Sequence, residues 1–155
     1  MPSNPTTIRA ATAEDTAAIA ALIDAAYVHY IPVIGTKPRP MVDDHATRIA
    51  HGGTFVLEEA GQIQAVISLQ SEDDTLHIFN IAVHPDSQGR GLARKLIGFA
   101  EETARKRGAA RLTLYTNAAM TRNRAMYAHL GFIEDGYEHS NGYRIVHMHR
   151  LVPAP

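Results

Sequence analysis

The chain has 155 residues, of which 45 % are hydrophobic and 20 % charged, a composition typical of one folded domain, residues 1–155, and too apolar for a disordered chain. Its formal net charge of −1, with acidic and basic residues interspersed, argues against a nucleic-acid partner. The chain has no cysteine, which excludes thiolate catalysis and cysteine-based zinc sites and is typical of a reducing compartment, so we expect a cytoplasmic location.

The N-terminal part of the chain predicts one strand followed by one helix. Thr6–Ala10 is the predicted strand. Thr12 and Asp15 have the spacing of a capping box, and apolar residues then recur at helical intervals, which predicts a helix over 13–27. We see no signal-peptide pattern and expect no stretch of the roughly 20 apolar residues that a membrane span requires. We therefore expect no membrane partner.

A loop and a short helix are predicted next. The segment 28–41 contains three prolines and a glycine, and because proline lacks a backbone donor, we predict a long, shaped loop. A short helix over 43–51 is predicted to end at Gly52 and Gly53, since glycine adopts the left-handed conformation that often ends helices.

The middle of the chain predicts three strands. Thr54–Glu59 and 62–70 form a predicted hairpin joined by the dipeptide Ala60-Gly61. Thr75–Val83 carries a nearly continuous apolar run, which is typical of a buried central strand.

The C-terminal half alternates helices and strands. Beyond Pro85 a glycine-containing turn leads into a long helix that ends at Gly108. The remaining predicted elements are a strand over 111–116, a helix over 122–130, and strands over 132–138 and Tyr143–Leu151 around the hairpin dipeptide Asn141-Gly142. The order β-α-α-β-β-β-α-β-α-β-β predicts an α/β fold, in an α+β arrangement with a central mixed, mostly antiparallel sheet.

The most informative segment, 80–96, runs from a strand through the glycine-containing turn into a helix. Gly89 and Gly91 let the backbone curl closely around a ligand, and the first N–H groups of the helix point outward at the positive end of its dipole. Such a turn is typical of a phosphate site, to which Arg90 and Arg94 would add charge-assisted contacts. The alternative is that the two glycines only allow a tight turn.

Two widespread phosphate motifs do not match this turn. A dinucleotide fingerprint requires glycine or alanine where this chain has Arg94, and an acidic residue about 20 positions later, which is absent. A P-loop requires Lys-Ser or Lys-Thr after its last glycine, where this chain has Leu92.

The remaining pattern, Gln88-x-x-Gly91-x-Ala93 after an apolar strand, resembles the coenzyme A pyrophosphate loop of the GNAT superfamily of N-acetyltransferases. Many members have a third glycine where this chain has Ala93. The segment 79–85 resembles the central strand of that family. The stretches that resemble its second conserved block are 114–117, Asn123, Tyr127 and 130–132. The resemblance covers 76–132, and the predicted order of elements agrees with the family along the whole chain.

The resemblance implies a GNAT-like fold and acetyl-CoA as cosubstrate, with no metal. It also implies that the backbone around 80–83 binds the pantetheine arm like an extra strand, and that one N–H group polarises the thioester carbonyl. The residues that it implies for contact with coenzyme A are Ile81, Ala82, Val83, Gln88, Gly89, Arg90, Gly91, Leu92, Ala93, Arg94, Asn117, Asn123 and Tyr127.

The candidate catalytic residues are Tyr127, Asn80 and His77. Tyr127 lies four positions after Asn123, on the same helix face, where it would donate a hydrogen bond to the departing thiolate; the alternative is an ordinary packing tyrosine. Asn80 is a polar residue inside an apolar run and needs a partner. His77, near the place of a catalytic carboxylate in some relatives, or a water held by Asn80 would accept the amine proton; alternatively, His77 faces solvent.

The acceptor side of the cleft is expected on the early helices and the loop between them, as in the family. Tyr27 and Tyr30 are the candidate substrate-binding residues. Lys37 and Arg39 would attract an anionic acceptor or would belong to a solvated loop. Asn117 would cap the next helix or touch the cofactor.

The sequence therefore predicts an acetyl-CoA-dependent N-acetyltransferase that acts on a small-molecule amine or a peptide amine by direct attack on the thioester. The alternatives are a catalytically inactive coenzyme A-binding sensor or interaction module, and an acyltransferase that uses a longer acyl-CoA. The family resemblance also allows a homodimer. We interpret His147 and His149 as surface residues, because no third metal ligand has matching spacing.

Overall fold

The computed structural model describes residues 5–154. The strands are β1 (Thr6–Ala10), β2 (Thr54–Glu59), β3 (Gln62–Glu72), β4 (Thr75–Val83), β5 (Arg111–Asn117), β6 (Ile133–Ser140) and β7 (Tyr143–Leu151). The α-helices are α1 (Thr16–Tyr27), α2 (Ile31–Ile34), α3 (Arg39–Val42), α4 (His45–Ala50), α5 (Leu92–Arg107) and α6 (Thr121–His129).

A single mixed sheet carries these strands in the order β1-β2-β3-β4-β5-β7-β6. Neighbouring strands run antiparallel except for β4 and β5, which run parallel. This confirms the predicted fold class and the mostly antiparallel sheet. Both predicted hairpin dipeptides, Ala60-Gly61 and Asn141-Gly142, have positive φ at each residue, as a type I′ hairpin turn requires.

The parallel pair of β4 and β5 is incomplete. Its register ends where His77 lies opposite Thr113, although both strands continue. Just beyond this point β4 bulges, because Ile78 and Asn80 pair with consecutive residues of β3 and leave Phe79 without a partner there. A bulge bends its strand and increases the local twist, so the sheet opens between the C-terminal ends of β4 and β5.

The hydrophobic core lies on both faces of the central strands. Helix α5 packs on one face and α1 on the other, and both contact β3 and β4. Because successive strand residues point to opposite faces, Ile81 belongs to the cluster with α5 and Ala82 to the cluster with α1. This two-sided burial explains the nearly continuous apolar run of β4.

The segment 28–41 differs from the predicted loop. A 3₁₀ turn over Val28–Tyr30 continues α1 directly into α2, and α3 follows after a short connection. Pro32 and Pro40 lie in the first turns of α2 and α3. Proline is tolerated there because backbone N–H groups in the first turn have no hydrogen-bond partner within the helix. Gly35, with a φ of 88°, then ends α2.

The N-terminal helical run is also longer and more apolar than expected. Ala13–Ile34 forms 22 helical residues with a mean hydropathy of 1.7, long and apolar enough to cross a membrane by length and composition alone. The expectation that no such stretch exists is therefore wrong. One face of this run packs on the sheet, however, with Ile19, Leu22 and Ile23 buried, and a core helix of a soluble protein passes the same test.

Candidate active site

A glycine turn joins β4 to α5 where the sequence predicts a phosphate site. Gly89 and Gly91 have φ values of 82° and 78°, in the left-handed region that glycine adopts without strain. Gly91 is the N-cap of the 16-residue helix α5 and accepts the N–H group of Lys95. The N–H groups of the first turn of α5 have no partner inside the helix, so together with the helix dipole they can bind an anion.

A groove of about 550 Å³ begins at this turn and is lined by residues of α1, β4, α5 and α6. The predicted coenzyme A residues that line it are Ile81, Ala82, Val83, Gln88, Gly89, Gly91, Leu92, Ala93, Arg94 and Asn123. The sequence reasoning missed Arg122, an exposed residue that also lines the groove. Its place beside Asn123 in the second conserved block is the signal that could have identified it.

Arg90, which the sequence predicts at the phosphate site, does not line the groove with the rest of the turn. Its guanidinium pairs with the carboxylate of Glu59 at the end of β2. This contact raises the pKa of Arg90 and lowers the pKa of Glu59. The Arg90 side chain therefore forms an ion pair with Glu59. The local sequence could not reveal this pair, because Glu59 lies at the end of β2, far from Arg90 along the chain.

A second, smaller cavity of about 60 Å³ lies in the opening between β4 and β5; we call it the inner cavity. Its walls include Asn80 of β4, Thr116 of β5 and Tyr127 of α6. Tyr27 and Asn123 line both the groove and the inner cavity, so the two spaces meet at these side chains.

Asn80 lies next to the bulge of β4 and is 6 % exposed. Its Oδ1 atom is buried and has no hydrogen-bond partner among residues 5–154. A buried polar atom without a partner is costly and therefore rare, so its presence in the wall of a cavity points to a ligand that supplies the missing donor. The apolar neighbours of Asn80 in the sequence also predict that its side chain needs a hydrogen-bond partner.

Tyr127 reaches the inner cavity from α6 and is 4 % exposed. Its ring packs edge-on against Phe132, with 5.8 Å between ring centroids. Burial raises the pKa of the Tyr127 phenol well above its usual value, so the hydroxyl remains protonated and able to donate a hydrogen bond.

The two candidate acceptor tyrosines lie in different places. The Tyr27 hydroxyl donates a 2.9 Å hydrogen bond to the carbonyl of Ile81 in β4, and burial raises the pKa of Tyr27 to about 12. Tyr30 lines the groove rather than the inner cavity, with its hydroxyl 3.5 Å from Oδ1 of Asn123. Tyr27 therefore faces both spaces, whereas Tyr30 faces the groove.

His77 does not face solvent, so that alternative is wrong. The residue is 9 % exposed, its Nδ1 lies 2.9 Å from Oγ1 of Thr113, and its ring stacks on that of Tyr115 at 5.6 Å. Burial is the main cause that lowers its pKa. His77 lies where β4 and β5 are still paired and does not line the inner cavity.

Asn117 lines the inner cavity and not the groove. Its Oδ1 accepts the N–H group of Ala119 at 2.9 Å, which shapes the turn before α6. The N-cap of α6 is Met120, so Asn117 caps a turn and not the helix.

Arg39, Tyr115 and Tyr143 also line the inner cavity. The Arg39 guanidinium lies over the rings of Tyr115 and Tyr143, with 5.7 Å and 5.5 Å from its carbon to the two centroids. Among the lining residues of the described chain there is no aspartate or glutamate. The tyrosines belong to β5 and β7, and nothing in the local sequence indicates that α3 lies against both strands.

His147 and His149 lie on β7, outside these two spaces. Each imidazole contacts a carboxylate of β6, namely Glu138 at 2.6 Å and Asp135 at 2.5 Å. Within residues 5–154 no group of three or more potential metal-ligating side chains comes together.

Comparison with known proteins decides the family. Residues 17–132 match the model of the acetyltransferase (GNAT) family, well over half of the chain. The chain belongs to this family. The predicted membership of the GNAT superfamily is thereby confirmed.

Two relatives of known name are similar to parts of this GNAT chain. The [ribosomal protein bS18]-alanine N-acetyltransferase of Escherichia coli (strain K12) is 39 % identical over 80 residues, which are 52 % of this chain and 54 % of that protein. The mycothiol acetyltransferase of Beutenbergia cavernae is 43 % identical over 58 residues, 37 % of this chain and 20 % of that protein. The chain thus matches about half of the first relative and a fifth of the second.

Solved structures share the fold over nearly the whole chain. The ribosomal-protein-S18-alanine N-acetyltransferase from Escherichia coli has a TM-score of 0.75 at 24 % identity, covering 97 % of this chain and 96 % of that one. The PaiA N-acetyltransferase from Thermoplasma acidophilum, solved in complex with coenzyme A, has a TM-score of 0.76 at 13 % identity, covering 95 % and 99 %. At these identities the likeness shows the fold alone.

Proposed function

We propose that this protein transfers an acetyl group from acetyl-CoA to the amine of a small molecule or a peptide. The observation that carries the proposal is the meeting of two spaces: the groove at the glycine turn and the inner cavity in the opened β4–β5 pair. A phosphate-bearing thioester carrier needs the first space, and the reacting amine needs the second.

The groove fits the chemistry of coenzyme A. The free N–H groups at the start of α5 suit the diphosphate, and Arg94 and Arg122 line the groove as positive side chains. Within residues 5–154, β4 has no parallel partner strand beyond His77, so backbone groups on that edge are available for the amides of a pantetheine arm, apart from the Ile81 and Val83 carbonyls, which already accept from Tyr27 and Gln88. The PaiA N-acetyltransferase from Thermoplasma acidophilum, which shares the fold, was solved with coenzyme A, and the proposal of the same ligand here agrees with that.

In the proposed reaction a neutral amine attacks the thioester carbonyl, the carbon–nitrogen bond forms, and the carbon–sulfur bond breaks to release the thiolate of coenzyme A. Negative charge develops on the carbonyl oxygen and then on the sulfur. A backbone N–H group of β4 stabilises the first charge, and the Tyr127 hydroxyl donates a hydrogen bond to the second. Full proton transfer from a phenol to a thiolate is uphill by roughly 2 kcal/mol even at reference pKa values, so Tyr127 acts mainly as a donor.

The acceptor must lose a proton, and no carboxylate among the described residues lines the inner cavity to accept it. At pH 7 an α-amino group costs about 1 kcal/mol to deprotonate, whereas a lysine amine costs about 4.6 kcal/mol. A water held by Asn80 suffices for the former. We therefore favour an amine of modest pKa, and the name of the Escherichia coli relative, which acts on a protein alanine, agrees with this choice.

The direct test mixes the purified protein with acetyl-CoA and a panel of amines, follows the release of free thiol, and identifies the acetylated product by mass spectrometry. We expect thiol release that depends on the amine and saturates with both substrates. Binding of acetyl-CoA without thiol release for any amine would instead support a sensor, and faster release from propionyl- or succinyl-CoA would support a longer acyl donor. The cytoplasmic location and a homodimer stay predictions.

A further inference from the structure

We propose that the acceptor amine carries a carboxylate a few bonds away, and that Arg39 binds this carboxylate while Asn80 receives the amine. This inference rests on the proposed function, because it assigns the acceptor of the same site. It follows from the charges and unused hydrogen-bonding groups in the wall of the inner cavity.

Arg39 supplies the cation. It is the one charged side chain among the described residues that line the inner cavity. No salt bridge within residues 5–154 involves it, whereas the nearby Arg48 is paired with Asp43 at 2.5 Å. A guanidinium without a carboxylate partner in a partly buried wall is suited to a carboxylate that arrives with a ligand.

The guanidinium is held in place by aromatic rings, which leave most of its donors unused. Tyr115 and Tyr143 contact it through their ring faces. Of the five N–H donors of arginine, the structure assigns one, to the hydroxyl of Tyr115 at 3.4 Å. The Tyr143 hydroxyl in turn donates to the carbonyl of Lys37 at 3.4 Å, which ties the segment that carries Arg39 to β7. Arg39 is therefore positioned without its hydrogen-bonding capacity being consumed.

Asn80 supplies the complementary group on the β4 wall. Its orphaned Oδ1 atom can only accept a hydrogen bond, so it matches the N–H groups of an amine. The cavity thus offers a hydrogen-bond acceptor on one wall and a cation on the other, and its lining residues within 5–154 carry no negative charge. An amine with a nearby carboxylate satisfies both groups, whereas a diamine would bring its second positive charge towards Arg39.

Two sources share this chemistry: a free amino acid, and a peptide whose N-terminal residue has an acidic side chain. The peptide keeps the modest α-amino pKa that the proposed function favours, whereas the carboxylate of a free amino acid raises the pKa of its own amine. Thiol release is measured for glycine, β-alanine and 4-aminobutyrate against their amides, for an N-terminal Asp tripeptide amide against its Asn counterpart, and for putrescine. Amidation lowers the pKa of a neighbouring amine and so favours the amides chemically. A preference for the carboxylates therefore has to come from the protein.

We expect at least one carboxylate acceptor to exceed its amide partner in kcat/KM by on the order of 10- to 100-fold, the effect of one or two charge-assisted hydrogen bonds. Arg39→Gln should abolish that preference by slowing the carboxylate acceptor and leaving its amide within about twofold, while Arg39→Lys restores part of it. Lys37→Gln is the matched control, because it removes the same charge from an exposed side chain two residues away and should leave the preference intact.

The outcomes are distinguishable. Transfer to the amides and to putrescine as fast as to the carboxylates, or an equal loss on both acceptor types in Arg39→Gln, would overturn this inference while leaving acetyl transfer intact. If no amine of the panel is acetylated, the proposed function is contradicted, and this inference with it. The identity of the preferred pair, free amino acid or acidic peptide, separates the two sources.

Discussion

Tyr127 has two properties that suit a hydrogen-bond donor to the departing thiolate. Its hydroxyl belongs to the wall of a cavity, and its ring is fixed by packing against Phe132. Burial raises the pKa of the phenol well above its usual value, so the hydroxyl keeps its proton at neutral pH. A residue of this kind can stabilise a departing thiolate without ionising.

The substitution Tyr127→Phe tests this role. It should lower kcat by on the order of 10²-fold with little change in the KM for acetyl-CoA, because it removes a donor used mainly in the transition state. Because the raised pKa keeps the wild-type phenol neutral, kcat/KM should rise with pH as the amine deprotonates and should not fall as pH passes the usual tyrosine value of about 10. An unchanged kcat in the variant would make Tyr127 an ordinary packing residue.

Two neighbouring arginines give a matched test of the groove. Arg94 lines the groove and Arg90 is paired with Glu59. We expect Arg94→Gln to raise the dissociation constant for coenzyme A by about 3- to 10-fold, most strongly at low salt, and Arg90→Gln to change it by less than about twofold. Calorimetric titration of both variants at two salt concentrations measures this. An equal effect of both would refute the different roles of the two side chains.

At the scale of single residues, the sequence was most informative where one residue conflicted with its surroundings. Asn80 stands out as a polar residue in an apolar strand, and Gly89 and Gly91 stand out in a turn before a helix. The environment of His77 could not be predicted, because its burial depends on Thr113 and its neighbours in β5. Such contacts across strands have no signature in the local sequence.

Two consecutive glycines, Gly52 and Gly53, lie between α4 and β2 and both have positive φ. Only Gly53 also lacks the space for a side chain. A Cβ atom on Gly53 would lie 2.3 Å from the carbonyl oxygen of Leu69, whereas a Cβ atom on Gly52 would meet nothing within 4 Å. We expect Gly52→Ala to cost about 1–2 kcal/mol of unfolding free energy through backbone strain, and Gly53→Ala at least about 3 kcal/mol through strain and overlap. Urea unfolding of both variants measures the difference, and equal costs would contradict the overlap.

The junction of β1, α1 and β2 depends on an ion-pair network centred on Arg9. Its guanidinium contacts Asp15 at 2.8 Å and Glu58 at 2.7 Å, and the Asp15 carboxylate accepts the N–H group of Thr12 at 2.8 Å, as the capping box predicts. These contacts, with the Arg9 hydrogen bond foremost, lower the pKa of Asp15 from 3.8 to about 2. The contribution of the network to stability is therefore present above pH 3.8 and is lost as the pH falls towards 2.

Asp15→Asn should consequently destabilise the protein at pH 7, by on the order of 1–2 kcal/mol once the 37 % exposure of the Arg9 side chain is allowed for. The difference from wild type should shrink between pH 3.8 and 2, where the wild-type carboxylate becomes protonated. Asp24→Asn, an exposed change on the same helix, is the control. A difference that stays constant down to pH 2 would contradict the role of the ionised carboxylate.

At the scale of elements, periodicity and turn residues sufficed for the strands and the long helices. Thr75–Val83 forms β4 with the predicted bounds, and Gly108 follows the last residue of α5. The prediction was wrong for 28–41, where prolines in the first turns of helices were interpreted as helix breakers. Proline has either effect, and only the position of the helix start decides between them.

For the whole molecule, the site depends on how far two parallel strands stay paired. The order of elements and the family motifs indicate that β4 and β5 are neighbours, but the point at which they separate lies beside the bulge at Phe79, which pairing along the chain does not reveal. The inner cavity, and the contact of Arg39 with Tyr115 and Tyr143 at its wall, arise from this separation. Neither was predictable from local sequence, because each joins residues from distant parts of the chain.

The central claim is that the groove at the glycine turn binds the diphosphate of coenzyme A, and calorimetric titration of the wild-type protein with coenzyme A and with pantetheine tests it most directly. Pantetheine retains the thiol arm and lacks the diphosphate. We predict saturable one-to-one binding of coenzyme A, with pantetheine weaker by on the order of 10²-fold, since it forgoes the charge-assisted contacts of the turn. No saturable heat with coenzyme A, or equal affinity for pantetheine, would contradict the account.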